Sequence, residues 1–330
     1  YLADRVSINL ELPTAQSLSK LAPNKNFKTI LEPMEKMTGT IAANRIAMGK
    51  DARMERSSIN RYLSGSIFNS QTGSGQSALS GTERAALESG DKLSLPAVAR
   101  GMGINRPFAP AGQSTQMIIG ATPETDLTLI RTTQNLYKNY DLKRVFYSAY
   151  IPLNEDSALP QLDADVPLLR EHRLYQADWL LRFYGFQADE LLSEEEPNFN
   201  VLFDPKCNWA LKHLEYFPVE INRADYEMLL RVPGLGYKSA TRIVKARRLG
   251  TLDFADLKKL GVVLKRAVYF ITCNGKTMYP LRIEEESIAR NLLDSREKLP
   301  QEVRNLGYRQ LSLFDDVRFR ENFYEKDLCV

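Results

Sequence analysis

Leu229-Leu-Arg-Val-Pro-Gly-Leu-Gly-Tyr237 is the stretch that decides the local fold in the C-terminal half of this 330-residue chain. Its two glycines follow a proline and predict a tight turn, because glycine adopts backbone conformations that other residues avoid. Asn222 is placed to cap a helix before the turn. Apolar residues recur at helical spacing on both sides, at Ala224, Leu229 and Leu230 before the turn and at Ala240, Ile243 and Val244 after it. The sequence therefore predicts two short helices joined by a hairpin turn.

The turn also has the composition of an anion site. Glycines let backbone N–H groups approach an anion closely, and the start of the second helix carries a partial positive charge. The candidate contacts are the turn and the polar or basic residues that follow it: Pro233, Gly234, Leu235, Gly236, Lys238, Ser239, Thr241, Lys245, Arg247 and Arg248. A phosphate oxygen is the anion that this arrangement favours.

The pattern Ile221-Asn-x-Ala, Leu229-Leu-x-x-Pro-Gly-Leu-Gly and Ala240-x-x-Ile resembles the helix-hairpin-helix family. The resemblance covers residues 218–270 and implies binding to the DNA backbone without base reading. The alternative is a hairpin that serves only in packing. A second hairpin follows at Phe254-Ala-Asp-Leu-Lys-Lys-Leu-Gly-Val262 and lacks the full Pro-Gly-x-Gly, so we expect it mainly to support the first.

Positive charge is concentrated in the same segment. The chain has a net charge of +3, but residues 231–266 contain ten Lys or Arg and two Asp, which gives this segment +8 and leaves −5 for the remainder. A basic patch on a nearly neutral chain predicts one site for a polyanion. From charge alone, a solvated helix face is the alternative.

Before the hairpins, strand-like and helical stretches alternate. Strands are predicted over residues 4–12, 115–121 and 144–151, and helices over 14–21, 27–48, 122–140 and 167–184, with Thr122 capping the third helix. This spacing predicts parallel β/α units. Residues 57–94 contain ten Ser and five Gly, so we expect residues 52–100 to form a flexible insertion.

Met117-Ile-Ile-Gly-Ala-Thr-Pro-Glu124 resembles the Ile-x-Gly-x-x-x-Glu stretch on the fifth barrel strand of radical S-adenosylmethionine enzymes. Four more stretches resemble one subfamily, the DNA modification or repair radical S-adenosylmethionine proteins with a C-terminal helix-hairpin-helix: Ala3–Thr14, Pro110–Gln116, Leu169–Trp179 and Asp204–Leu211. The resemblance implies an α/β fold with strands four to six of a partial (β/α) barrel in residues 1–200. An all-α helix-hairpin-helix domain at 201–275 and an extension at 276–330 would follow.

The resemblance also implies a [4Fe-4S] cluster and S-adenosylmethionine as cofactors. Asn9, Glu11, Ile118 and Gly120 would contact the cofactor, and Gln113, Gln116 and Tyr150 are substrate candidates. The C-x-x-x-C-x-x-C motif that holds such a cluster is not in this sequence, and no catalytic residue is assigned. Because the sequence opens at Tyr1 on a strand-like run, we expect the motif and strands one to three to precede it, and this fragment alone to be inactive. The alternative is a non-catalytic DNA-binding adaptor on a degenerate barrel.

The three cysteines, Cys207, Cys273 and Cys329, are too widely spaced for a disulfide framework or a zinc site, so a reducing cytoplasm is expected. Cys207 is either a ligand of an auxiliary cluster or, as we favour, a lone buried thiol. His172, among charged neighbours, is favoured for a surface ion pair over catalysis. No apolar run approaches the roughly 20 residues that span a bilayer, and no membrane partner is expected.

Near the C-terminus, Gln310-Leu-Ser-Leu-Phe314 resembles the pentapeptide with which bacterial polymerases and repair proteins bind the sliding clamp. Leu311, Leu313 and Phe314 would supply apolar contacts and Gln310 a hydrogen bond at the rim. The alternative is a short strand or turn packed on the protein itself. Members of the subfamily are often encoded beside a uracil-DNA-glycosylase-like protein, which is a second expected partner.

Overall fold

The computed structural model describes residues 3–50, 52–54, 107–153, 157, 159–161, 165–280 and 283–293. The chain divides into two compact units, Tyr1–Asn198 and Phe199–Val330, which are called the first and second unit below. Most of the Ser/Gly-rich insertion and the whole Gln310–Phe314 peptide lie outside the described residues. No helix within the described ranges is long and apolar enough to cross a membrane.

The first unit alternates strands and helices. In chain order its elements are β1 (Val6–Ser7), α1 (Ala15–Leu21), α2 (Phe27–Ala47), β2 (Gln113–Ile119), α3 (Asp126–Tyr140), β3 (Arg144–Ala149), α4 (Leu168–Phe183) and α5 (Ala188–Leu191). The three strands form one parallel sheet in the order β1-β2-β3. Strands that follow each other along the chain are therefore neighbours, as predicted for β/α units.

The sheet has one face against helices. Gln113 of β2 donates to Met34 O of α2 and to Tyr140 O of α3, at 3.1 and 2.8 Å. On the same face, Tyr147 of β3 shares a 2.8 Å hydrogen bond with Thr133 of α3. Side chains alternate between faces along a strand. The opposite face is half-buried and carries Gln116 and Ile118 of β2 with Phe146 and Ser148 of β3.

Side chains of α4 close the outer edge of β3. The Tyr175 hydroxyl accepts from Tyr147 N at 3.0 Å and donates to Tyr147 O at 2.8 Å. The Glu171 carboxylate accepts from Ala149 N at 2.6 Å. These bonds satisfy backbone groups that would otherwise offer an edge for pairing with another strand.

A buried polar group joins α3 to α4. The Asp178 carboxylate accepts from the Tyr137 hydroxyl and from the Arg182 guanidinium, the latter at 2.7 and 2.9 Å. Asp178 is fully buried. Burial raises the pKa of Asp178, whereas the neighbouring Arg182 lowers it. The ion pair with Arg182 lies within α4, and the bond from the Tyr137 hydroxyl ties this buried carboxylate to α3.

Two predicted boundaries in the first unit are wrong. The strand expected over residues 4–12 is only Val6–Ser7, followed by an isolated bridge from Glu11 to Met117. The ladder is interrupted between them because Leu10 N donates to the Thr115 hydroxyl oxygen, at 2.9 Å, rather than to a strand carbonyl. The third helix is capped by Thr125 rather than Thr122. The Asn198 side chain accepts from Asp126 N at 3.1 Å and so fixes the later start.

The second unit holds the two predicted hairpins. Its elements are α6 (Pro205–Lys212), a 3-10 turn (Leu214–Tyr216), β4 (Val219–Glu220), α7 (Tyr226–Arg231), α8 (Tyr237–Ala246), α9 (Phe254–Lys259), α10 (Leu264–Ala267), β5 (Ile271–Thr272) and α11 (Glu285–Leu293). The first hairpin is α7–α8 and the second is α9–α10. The parallel pairing of β4 with β5 brackets both hairpins, so the prediction of an all-α domain is wrong in this detail.

The Glu220 carboxylate secures this bracket. It accepts from the backbone N–H groups of Asn222, Asn274 and Gly275 and from the Thr272 hydroxyl, at 2.8 to 3.1 Å. Partial burial would raise the pKa of Glu220, but these hydrogen bonds outweigh it and lower the pKa below its ordinary value. The charged carboxylate therefore stabilises the closure of the module.

Candidate nucleic-acid interface

The first hairpin turn depends on Gly234. This residue has φ +81°, and a side-chain Cβ added there would lie 2.6 Å from Val263 O. Glycine is therefore required both by the backbone conformation and by the close approach of the second hairpin. Leu235, in the middle of the turn, is buried.

Asp225, rather than the predicted Asn222, caps α7, and its carboxylate accepts from Met228 N at 2.7 Å. Asn222 instead pairs with the backbone of Leu252, donating to its O at 3.0 Å and accepting from its N at 2.9 Å. Asn222 thus ties the entry of the first hairpin to the entry of the second.

The helix after the first turn starts at Gly236, which is its cap, and runs for ten residues. The N–H groups in its first turn have no carbonyl partner within the helix and point out of its end, where an anion is favoured. Lys238 and Lys245 are exposed on this helix and Arg248 is exposed just after its end, as a phosphate-binding role requires. These three side chains are the predicted contacts that the structure leaves accessible to solvent.

Three other predicted side-chain contacts are already engaged within the protein. The buried Ser239 hydroxyl donates to Gly261 O at 2.8 Å, and Thr241 donates to Tyr237 O at 2.8 Å. Arg247 donates to the carbonyl oxygens of residues 221 and 224, at 3.1 and 2.5 Å. These side chains organise the hairpin, and their direct contact with DNA stays a prediction.

The two turns are tied to each other reciprocally. Val263 N of the second turn donates to Gly234 O of the first at 3.0 Å. Ser239, in the first turn of α8, donates to Gly261 O of the second turn. Gly261 has φ +87°, close to the +81° of Gly234. The second turn therefore has the same left-handed glycine as the first, despite its incomplete motif.

Most of the predicted basic patch is exposed. Seven of its ten members are exposed: Lys238, Arg242, Lys245, Arg248, Lys258, Lys259 and Lys265. Arg242 was not singled out from the sequence; it lies beside the second turn, where Nη1 donates to Leu260 O at 3.2 Å. The one signal in the sequence for Arg242 as a candidate contact is its spacing of four residues, one helical turn, from Lys238.

In the first unit, an open cleft of about 630 Å³ brings together Asn9, Glu11 and Gln116. Glu11 is held in its left-handed conformation by two sheet bonds, from its N to Gln116 O at 3.0 Å and from Ile118 N to its O at 2.7 Å. Its carboxylate pairs with Lys25 at 3.1 Å. An unfavourable conformation fixed by its surroundings is common at functional sites. Lys25 also lines the cleft; it was not predicted because it lies in the loop between α1 and α2, where the sequence has no periodic pattern.

The remaining candidates lie elsewhere. The Gln113 amide is buried against α2 and α3, so its assignment as a substrate contact is wrong. The Pro167 ring occupies the space beside Gly120, 2.7 Å from where a Cβ would stand. Ile118 and Tyr150 are half-buried and do not line the cleft.

Glu124 accepts from Thr14 at 2.8 Å. Partial burial would raise the pKa of Glu124, but hydrogen bonds from Ser17, Thr122 and Thr14 outweigh this and lower it. Glu124 therefore stays ionised beside the start of α1.

The described residues contain no group of three or more His, Cys, Asp or Glu side chains that could hold a metal ion. Cys207 and Cys273 are buried and form no disulfide within the described residues, and burial raises the pKa of Cys273 to about 12. His172 contacts Gln176 one turn along α4, at 3.1 Å, rather than a carboxylate.

The family comparison agrees with the hairpin geometry. A family model described as a helix-hairpin-helix motif matches residues 216–265. No curated protein and no solved structure matches the chain. The second unit thus contains a helix-hairpin-helix, a motif that indicates nucleic-acid binding.

Proposed function

We propose that the second unit binds the phosphate backbone of duplex DNA through its first hairpin turn, which the second hairpin holds in place. The observation that carries this proposal is the pair of hydrogen-bonded turns, each with a left-handed glycine, in a segment rich in exposed Lys and Arg. Backbone N–H groups at a helix start bind a phosphate oxygen, and the flanking cations add sequence-independent attraction.

Binding of fluorescent duplexes by the full chain tests this proposal. Two duplexes of equal length and unrelated sequence should bind equally, and affinity should fall steeply with salt. A strong preference for one sequence would contradict backbone binding. Equal or tighter binding of an RNA duplex, which differs in groove shape and carries 2′-hydroxyls, would contradict the choice of DNA.

The proposal extends to the first unit, which we assign to a radical S-adenosylmethionine enzyme acting on the bound DNA. The sheet supports this reading, because its strands follow chain order with the contacting helices on one face, as in a segment of a (β/α) barrel and unlike a doubly wound sheet. Side chains close the outer edge of β3, as suits the last strand of an open barrel.

The donor set of the cleft suits part of the cofactor. Asn9, Glu11 and Gln116 offer the amides and carboxylate that would bind the ribose hydroxyls and amino group of S-adenosylmethionine. When bound to a reduced cluster, this cofactor supplies a 5′-deoxyadenosyl radical. The described residues do not fit the cluster itself, so this proposal requires cluster ligands from outside them.

The enzymatic proposal is tested on a form of the protein that carries the cluster-binding C-x-x-x-C-x-x-C motif. After anaerobic reconstitution it should cleave S-adenosylmethionine under reductant. A loaded cluster without any 5′-deoxyadenosine would count against the enzyme and favour the non-catalytic DNA-binding adaptor. Glu11→Gln should weaken S-adenosylmethionine binding measured by calorimetry, independently of turnover.

Two protein partners complete the proposal. Purified sliding clamp should retain the wild-type chain but not the Leu313→Ala/Phe314→Ala variant. Equal retention of wild type and variant would exclude this peptide as the binding segment. The uracil-DNA-glycosylase-like protein is the other proposed partner, and co-purification of the two proteins tests it.

A further inference from the structure

Lys206 lies on α6, before the segment that matches the helix-hairpin-helix motif, and its side chain is 8% exposed. Its ammonium Nζ donates to Leu235 O, in the first hairpin turn, at 2.6 Å. Two residues earlier, the Asp204 carboxylate accepts from Arg266 of α10 at 2.9 Å. One short segment, Asp204–Lys206, therefore reaches both hairpins from outside the motif.

The bond to Leu235 O has a directional consequence. In a planar trans peptide, the carbonyl and the next N–H point in opposite directions. Lys206 holds the Leu235 carbonyl toward the protein interior, so the Gly236 N–H of the same peptide group is turned toward the outside. A cation on the carbonyl also polarises the peptide group and strengthens its N–H as a donor.

We infer that Lys206 is a positioning residue for phosphate binding. From the interior side of the first turn, its ammonium orients and polarises the Gly236 N–H that donates to the phosphate oxygen. The inference rests on the DNA binding proposed above. Lys206 itself is buried and does not reach the phosphate, in contrast to the exposed Lys238 on α8.

The surroundings of Lys206 place its pKa where a phosphate bound at the turn can change its protonation state. Burial lowers the pKa of Lys206 to about 7, while Asp204 and Cys207 on its own helix raise it and Arg231 of α7 lowers it further. Below this value the ammonium is charged and the turn is fully polarised. A phosphate at the turn favours the charged form, so binding near this pH should be accompanied by proton uptake.

The test compares Lys206→Met with wild type and with Lys212→Met, an exposed lysine on the same helix. At pH 6, we expect Lys206→Met to bind duplex about tenfold more weakly, since a charged hydrogen bond is lost. Its dependence of affinity on salt should be unchanged, because no phosphate contact is removed. Lys212→Met should bind as wild type does. Methionine fills a similar volume without a charge, so the variant should fold, which circular dichroism checks.

The pH dependence gives a second readout, available in wild type alone. Calorimetry of wild type in two buffers with different ionisation enthalpies should show proton uptake at pH 7, and Lys206→Met should show less. No uptake by wild type, unchanged affinity in Lys206→Met, or a reduced salt dependence in that variant would each overturn the inference. If wild type binds no duplex, the proposed function fails and the inference fails with it, whereas the other outcomes contradict the inference alone.

Discussion

Replacing Gly234 by alanine should destabilise the second unit by about 2–5 kcal/mol. The left-handed conformation at φ +81° costs a residue with a Cβ about 1–2 kcal/mol. The new methyl group would also lie 2.6 Å from Val263 O, a backbone atom that cannot rotate away. Such overpacking typically costs about a further 1–3 kcal/mol.

Two other glycines of the same unit provide matched controls. Gly261 has φ +87°, but its nearest atom is the mobile Arg242 Nη1 at 3.3 Å, so Gly261→Ala should cost only the conformational part, about 1–2 kcal/mol. Gly250 has no atom within 4 Å and no left-handed φ. Gly250→Ala should therefore change the free energy of unfolding by less than about 1 kcal/mol.

Urea unfolding followed by the fluorescence of Trp209 measures these differences. Trp209 is buried in the second unit, and a Trp179→Phe background removes the signal of the first. If Gly261→Ala proved as costly as Gly234→Ala, the close approach to Val263 would not be the deciding term. Duplex binding by folded Gly234→Ala should also fall, because moving Val263 displaces both turns.

Three further predictions concern charge. Lys238→Met should reduce the slope of log affinity against log salt by about 0.9, and an unchanged slope would show that Lys238 makes no phosphate contact. Glu220→Gln should destabilise the second unit at pH 7 by about 1–2 kcal/mol. Because the folded pKa of Glu220 is lowered, its stabilisation is present above the unfolded pKa and is lost as pH falls through the folded value. Variant and wild type should therefore differ more in thermal melts at pH 7 than at pH 3. Asp178→Ala should lower the free energy of unfolding in urea by about 3–5 kcal/mol, because it leaves Arg182 buried without its carboxylate. The control Asp189→Ala, at an exposed ion pair, should lower it by less than about 1 kcal/mol. Equal losses in the two variants would contradict the buried ion pair.

Much of the hairpin module could be predicted from the sequence because local chemistry determines it. A glycine turn between two apolar helical stretches leaves few alternatives, and the strands β2 and β3 were likewise visible as apolar runs. The start of α7 was missed because Asn222 and Asp225 are both capping residues. The choice between them is made by the bonds of Asn222 to Leu252, which is distant in sequence.

The cleft was predicted only in part. Asn9 and Glu11 follow a strand-like run and Gln116 lies on β2, so parallel pairing alone places them near each other. Lys25 joins them through a loop between helices, and no periodicity reports such a position. Gln113 was misassigned because the sequence shows that it starts a strand but does not show which face of the sheet it occupies.

The second turn shows which part of the Pro-Gly-x-Gly motif the geometry requires. Gly234 and Gly261 occupy equivalent places and share a left-handed φ, so glycine is needed at that position. The second glycine of the motif, Gly236, is the cap of α8 at φ −98°, and Val263 caps α10 at φ −81°. A negative φ is open to any residue, so valine replaces glycine there without conformational cost. The missing glycine therefore adds no conformational cost, but Val263 N already donates to Gly234 O, so the second turn acts by holding the first. Gly261→Ala should still reduce duplex affinity when the unit stays folded, because Ser239 of α8 is bonded to Gly261 O.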